Sequence, residues 1–146
     1  MSNLFFKTDH WTMLTLAEAA EWEMIAPNFL PKELASKGDG SLVIQKEALS
    51  KLQRLRHLHG KALSISSGYR DPVHNKRVGG SPVSQHVEGV AFDIPISDAD
   101  MGEHLERLAV EVGFSAVGRY NTFIHVDNRP PKSNGKLYLW GLASWD

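Results

Sequence analysis

Cysteine is absent from this 146-residue chain. Disulfides, thiolate nucleophiles and cysteine-ligated metal sites are thereby excluded, so any metal must be held by histidine and carboxylate. Charge of one sign does not dominate either: 16 Lys and Arg stand against 17 Asp and Glu, for a net charge of −1. That balance supplies no basic field for nucleic acid and no cationic run for a membrane surface. No apolar run is long enough to span a bilayer, so membrane insertion is not expected. Met1 to His10 lacks the basic start and apolar stretch of a secretion signal, so synthesis in the cytoplasm is expected. Repeats, low-complexity tracts and convincing linkers are missing too, which predicts one domain over residues 1–146. What is present, 42% hydrophobic and 23% charged residues, is the profile of a globular protein. A chain of this length buries roughly two-thirds of its unfolded surface.

Thr15-Leu16-Ala17-Glu18 reads as a capping box opening a helix to about Met24. Pro27 and Pro31 then bracket a turn. A stronger helix is predicted from Lys46 to His59, with Ala48, Leu49, Leu52, Leu55 and Leu58 filling one face and Gly60 as the stop. Its other face, with Lys51, Arg54, Arg56 and His57, reads as solvated. Leu63 to Ser66 alternates like a strand, and Tyr69 to Gln85 reads as a long irregular loop. Loops of that length inside a domain tend to be functional or disordered.

Val90 to Ile94 is predicted as a strand stopped by Pro95. A helix capped by Ser97 or Asp98 follows to Val112, with Met101, Leu105, Leu108 and Val112 inward and Gly113 as its end. Phe114–Gly118 and Thr122–Asp127 read as an antiparallel pair, and Lys136–Trp140 as a final edge strand. The order predicts an α+β fold with a small antiparallel sheet.

The chemistry concentrates in Ser84-Gln85-His86-Val87-Glu88-Gly89-Val90-Ala91-Phe92-Asp93 and Phe123-Ile124-His125-Val126-Asp127. His86 and Asp93 stand seven apart, with Gly89 between them to allow a sharp bend or close backbone approach. Strand alternation puts His125 and Asp127 on one face, where a neighbouring strand can present a third ligand. Two His and one Asp are a ligand set that a hydrolytic Zn²⁺ site uses, with water in the fourth position. The spacing His-x₆-Asp is not specific by itself. The other histidines, His10, His57, His59, His74 and His104, read as surface or hydrogen-bonded residues.

Ser84 to Asp93 matches, position for position, the Ser-x-His-x-x-Gly-x-Ala-x-Asp signature of the M15 family of zinc peptidases. Ser66-Ser67-Gly68-Tyr69-Arg70, Val78-Gly79-Gly80 and Phe123 to Asp127 resemble its carboxypeptidase-type branch; the likeness runs over roughly residues 45 to 130. The resemblance implies a fold shared with hedgehog-type domains and D-Ala-D-Ala peptidases, a small antiparallel sheet with helices packed on one side. It implies Zn²⁺ held by His86, Asp93 and His125, and substrates from peptidoglycan stem peptides. Arg70 corresponds to an arginine that polarises the scissile carbonyl or binds a substrate carboxylate; a structural ion pair is its other reading. Ser84 and Tyr69, beside these groups, are expected to contact substrate.

One departure stands out. Several relatives carry an acidic general base three residues before the third ligand, and here that position is Thr122. Asp127 is the substitute on sequence grounds, as the base or as a carboxylate orienting an imidazole; Glu88 is a weaker candidate. Arg70, Arg77, Arg119 and Arg129 all fall in expected loops, so arginines do not decide between carboxypeptidase and endopeptidase. Trp140 and Trp145 can stack on a sugar or complete the core. The resulting expectation is a monomeric phage or prophage lysis enzyme that reaches the cell wall by holin-type release. A bacterial D,D-carboxypeptidase domain and a non-catalytic zinc-stabilised binding module are the alternatives.

Overall fold

The computed structural model describes residues 4–142; Trp145 lies outside the described residues. Its elements are β1 (Phe5–Thr8), a 3₁₀ turn (Trp11–Met13), α1 (Leu16–Ile25), α2 (Pro31–Leu34), β2 (Leu42–Gln45), α3 (Lys46–His59) and α4 (Pro72–Arg77). β3 (Ala91–Pro95), α5 (Ala99–Val112), β4 (Ala116–Arg119), β5 (Phe123–Asp127) and β6 (Tyr138–Gly141) follow. The architecture is α+β, as the sequence predicts. Among the described residues no helix is long and apolar enough to cross a membrane.

Local chemistry sets the helix limits. Thr15 Oγ1 accepts from Glu18 N at 3.1 Å while Glu18 Oε1 accepts from Thr15 N at 3.0 Å, closing the capping box of α1. Asp98 caps α5 by accepting from Met101 N at 2.8 Å. α3 ends at Gly60 and α5 at Gly113, both with positive φ. Ala48, Leu49, Leu52 and Leu55 of α3 are buried, but Leu58 is 38% exposed and does not complete the predicted face. It lies in the last turn, one residue before the helix ends at His59.

One element was not expected, and three expectations are corrected. The N-terminal region folds into a two-stranded sheet, β1 antiparallel to β2, that burial of Phe6, Leu42 and Ile44 holds together. Pro31 starts the short helix α2 instead of merely closing a turn. Leu63–Ser66 is not a strand: Ser67 makes one bridge to Asp93, and the chain then leaves because Tyr69 N donates to Leu34 O at 2.9 Å. The expected irregular loop contains α4, opened by Asp71, whose carboxylate accepts from His74 N, with Pro72 at its first position.

The principal sheet has the order β3-β5-β4-β6. β3, β5 and β4 are antiparallel neighbours, and β6 occupies the predicted edge but runs parallel to β4. The connector 128–137 stays at one end of the sheet and crosses over β4, since Asp127 at the end of β5 and Tyr138 at the start of β6 both lie opposite Ala116. α5 packs against β4 and β5, and α3 packs on α5. Phe92, Ile94, Ile124 and Val126 are fully buried on the helix side. Burial of such side chains stabilises by about 1.5–3 kcal/mol each, which makes the opposite face of β3 and β5 a firm platform.

Candidate metal centre

Residue alternation assembles the site on that opposite face. Asp93 of β3 pairs directly with His125 of β5, and Ala91 with Asp127. Directly paired residues project to the same side of a sheet, so Asp93 and His125 stand together. His86 arrives from the turn before β3. Gly89, at φ 75°, turns the chain there, and a Cβ on it would overlap the carbonyl oxygen of Val43. Gln45 N donates to Gly89 O at 2.9 Å, fastening this turn to the end of β2. Both reasons for a glycine, sharp bend and close approach, therefore apply.

Asp93 Oδ1 lies 2.9 Å from His125 Nδ1 and 3.2 Å from His86 Nε2. All three residues are buried, and their ligand atoms lie within 4.8 Å of one another. The remaining ring nitrogens are committed elsewhere. His86 Nδ1 is 2.7 Å from Gly68 O, and a carbonyl can only accept, so Nδ1 carries the proton and Nε2 presents a lone pair. His125 Nε2 likewise faces Asp127 Oδ2 at 2.8 Å, which turns Nδ1 inward.

Three Lewis-basic atoms thus converge on one point with their outer hydrogen bonds already made. A metal cation is what such a donor set of two nitrogens and one oxygen fits. Burial works against the Asp93 carboxylate, yet the two imidazoles against it, His125 and His86, outweigh burial and hold the carboxyl well below the usual range. For His125 burial opposes the cation, while Asp127 and Asp93 raise its pKa.

Asp127 is fully buried. Its Oδ1 accepts from Arg129 N at 3.1 Å and Nε at 2.9 Å, and its Oδ2 accepts from Arg129 Nη2 at 2.6 Å as well as from His125. Burial raises its pKa, but Arg129 and His125 prevail and bring it to about 2. Of its two readings from sequence, the geometry matches the orienting carboxylate, since it has no opening to substrate. Glu88 is exposed and lies away from the metal cleft, as does Thr122.

The donor atoms form the floor of a cleft of about 370 Å³. Arg70, Ser81, Ser84 and Gln85 contribute to its lining, together with Tyr120, Phe123, Arg129 and Trp140. Arg70 Nε donates to Ser67 Oγ at 3.1 Å and Nη1 to Asn75 Oδ1 at 3.2 Å, which leaves Nη2 3.5 Å from Asp93 Oδ2. Ser84 is in the cleft, and its Oγ accepts from His86 N at 3.2 Å. Tyr69 is not: it is buried and lines a separate depression with Asp39, Ser41 and Asp71. The structure therefore does not bring Tyr69 to the metal cleft.

Arg119 is also removed from the chemistry, since Glu106 of α5 holds its Nε and Nη2 at 2.7 and 2.8 Å. Arg77 is exposed at the end of α4 and absent from the cleft. Arg129 is the arginine whose part the sequence reading missed. Its guanidinium lies 5.1 Å from the ring centres of both Tyr138 and Trp140 while gripping Asp127. The spacing Asp127-Asn128-Arg129 was the available signal. Trp140 packs against His125 with ring centres 5.3 Å apart, and Tyr120 stacks on Phe123 at 4.3 Å.

Residues 25–127 match the model of the family described as peptidase M15. The chain therefore belongs to the M15 peptidase family. The matched stretch contains Arg70, His86, Asp93 and His125, and the last three form the group that fits the metal on which M15 peptidases depend. No curated protein matches the chain significantly.

Proposed function

We propose that this protein is a zinc-dependent hydrolase of peptidoglycan peptides, cutting stem peptides or their cross-links. The observation that carries the reading is the convergence of His86 Nε2, Asp93 Oδ1 and His125 Nδ1 on the floor of a cleft that Arg70 enters. A zinc ion bound there supplies Lewis acidity, which polarises a peptide carbonyl and lowers the pKa of water.

The chain's own residues supply orientation and charge. Gly68 O and Asp127 fix the two imidazoles, so the inward nitrogens need no reorganisation. Arg70, held by Ser67 and Asn75, keeps a permanent positive charge beside the floor. There it stabilises an oxygen that becomes negative during acyl transfer, or anchors a terminal carboxylate. Tyr120, Phe123 and Trp140 provide an aromatic wall against which the substrate chain lies. We place the protein, working as a monomer, among phage or prophage lysis enzymes released to the wall through a holin. The match of Ser84–Asp93 to the M15 signature supports a wall peptide as substrate.

A non-catalytic, metal-stabilised binding module is the second reading. It is favoured by one observation: among the described residues, the cleft offers no carboxylate besides the ligand Asp93. Digestion of purified peptidoglycan by zinc-loaded protein, with products identified by mass spectrometry, separates the readings. Loss of a terminal D-Ala is the carboxypeptidase result, and cleavage within the stem or bridge is the endopeptidase result. Products that vanish with EDTA and with His125→Ala support hydrolysis; stoichiometric zinc without any product, from any wall type, supports the binding module.

A further inference from the structure

A second and larger cavity, about 740 Å³, adjoins the metal cleft. Val83, Gln85 and Arg129 line both, so the larger cavity shares a rim with the cleft. Its size falls within the range of ligand-binding pockets. Phe5, Pro82, Val90, Pro130 and Pro131 give it apolar walls, and Gln45, Gln85 and Asn128 add amides. This mixture of apolar surface and amide groups suits an extended peptide, whose backbone carries donors and acceptors in equal number.

Electrostatics narrows the occupant further. Glu47 is answered by Lys51 at 3.3 Å, and Lys51 also donates to Asn128 Oδ1 at 2.6 Å and Gly113 O at 2.9 Å. Arg129 is neutralised by Asp127. Glu88 lines the same pocket, is exposed, and has no ion-pair partner among the described residues. The pocket therefore offers one unanswered negative charge, in an apolar setting that a cation can enter.

We propose that this pocket is a second substrate-binding region, holding the stretch of peptide that continues from the metal cleft past Arg129 and presenting Glu88 to an ammonium group on it. The proposal rests on the peptidase reading for the first cleft and adds the chemical class of residue recognised beyond it. It assigns Glu88 to recognition of an amine-bearing side chain, away from the reacting bond.

The test uses zinc-loaded full chain with two probes, the stem peptide L-Ala-D-Glu-L-Lys-D-Ala-D-Ala and its counterpart with the lysine Nε acetylated. Affinity is measured by calorimetry and cleavage separately by mass spectrometry. The free amine should bind about fivefold more tightly than the acetylated form, as a partly exposed ion pair allows. Glu88→Gln should abolish that preference, and Pro131→Trp, which narrows the pocket, should weaken both probes, with circular dichroism confirming the fold of each variant. Equal affinity for the two probes, or no binding of either, overturns the proposal. Cleavage with no dependence on the lysine amine overturns it while leaving the peptidase reading intact. Amine-dependent binding without cleavage supports it and counts against the peptidase reading instead.

Discussion

Trp140 lies in the space that a side chain at Gly118 would occupy. The two residues are paired across β4 and β6, and a Cβ on Gly118 would stand 2.7 Å from the indole Nε1 and Cε2. Gly118 is also paired with His125 on its other side. Asp93, His125, Gly118 and Trp140 thus form one row across four strands. The missing side chain in that row is what lets the indole lean onto the ligand imidazole.

Gly118→Ala should therefore push Trp140 away from His125. Overpacking of this kind costs about 1–3 kcal/mol, read as a lower midpoint in denaturant titration. Hydrolysis of wall peptide should fall with it. An unchanged midpoint together with unchanged activity would count against the close fit.

Asp127→Asn tests the role of the buried carboxylate. An amide keeps the shape but removes the charge that His125 Nε2 and Arg129 face. Loss of such an orienting partner weakens metal affinity by roughly 10- to 100-fold, measured by chelator competition. A general base in the same place would behave differently, leaving affinity intact while activity disappears.

Arg70→Ala should leave the metal in place and remove charge from the cleft. The expected loss in kcat/KM is about 10²–10³-fold, the scale for one stabilising donor at a developing anion. Arg70→Lys should recover little, because Ser67 and Asn75 grip two separate nitrogens of a planar fork. Equal zinc content in both variants is the control.

His59 gives a pH dependence unconnected with the cleft. Among the described residues its buried Nδ1 has no hydrogen-bond partner. Burial, then the charges of His104, Lys61 and Arg56, lower its pKa below the ordinary value of 6.5. As pH falls through 6.5 the unfolded chain takes up this proton before the folded one, so stability decreases toward acid until the folded value is passed. Denaturant midpoints of wild type and His59→Leu, compared on both sides of 6.5, should show a smaller acid-side loss in the variant.

The parts legible in sequence were those that short-range chemistry governs. The Thr15 box, the α3 and α5 periodicities, and Gly60 and Gly113 each carry their own stop or start signal. The ligands were legible because Ser84 to Asp93 and Phe123 to Asp127 resemble M15 motifs; the His-x₆-Asp spacing by itself would not have singled them out. What was not legible depended on distant partners. β1 and β2 are four residues each and acquire their meaning only by pairing across α1 and α2. Leu63–Ser66 alternates like a strand, but the anchor at Leu34 that draws the chain away is about thirty residues upstream. Tyr69 adjoins Arg70 in sequence, yet the two side chains serve different cavities. Arg119 and Arg129 look alike in sequence; Glu106 claims one and Asp127 the other.

The matched family stretch ends at residue 127, with the last ligand-supporting carboxylate. Asn128, Arg129, Pro130, Pro131 and Trp140 come after it, and they build walls of the two adjoining cavities. The reacting floor is thus written wholly within the matched stretch, while part of each wall is written after it. Revision of that later segment can retune what the protein accepts while the cradle that does the cutting stays as inherited.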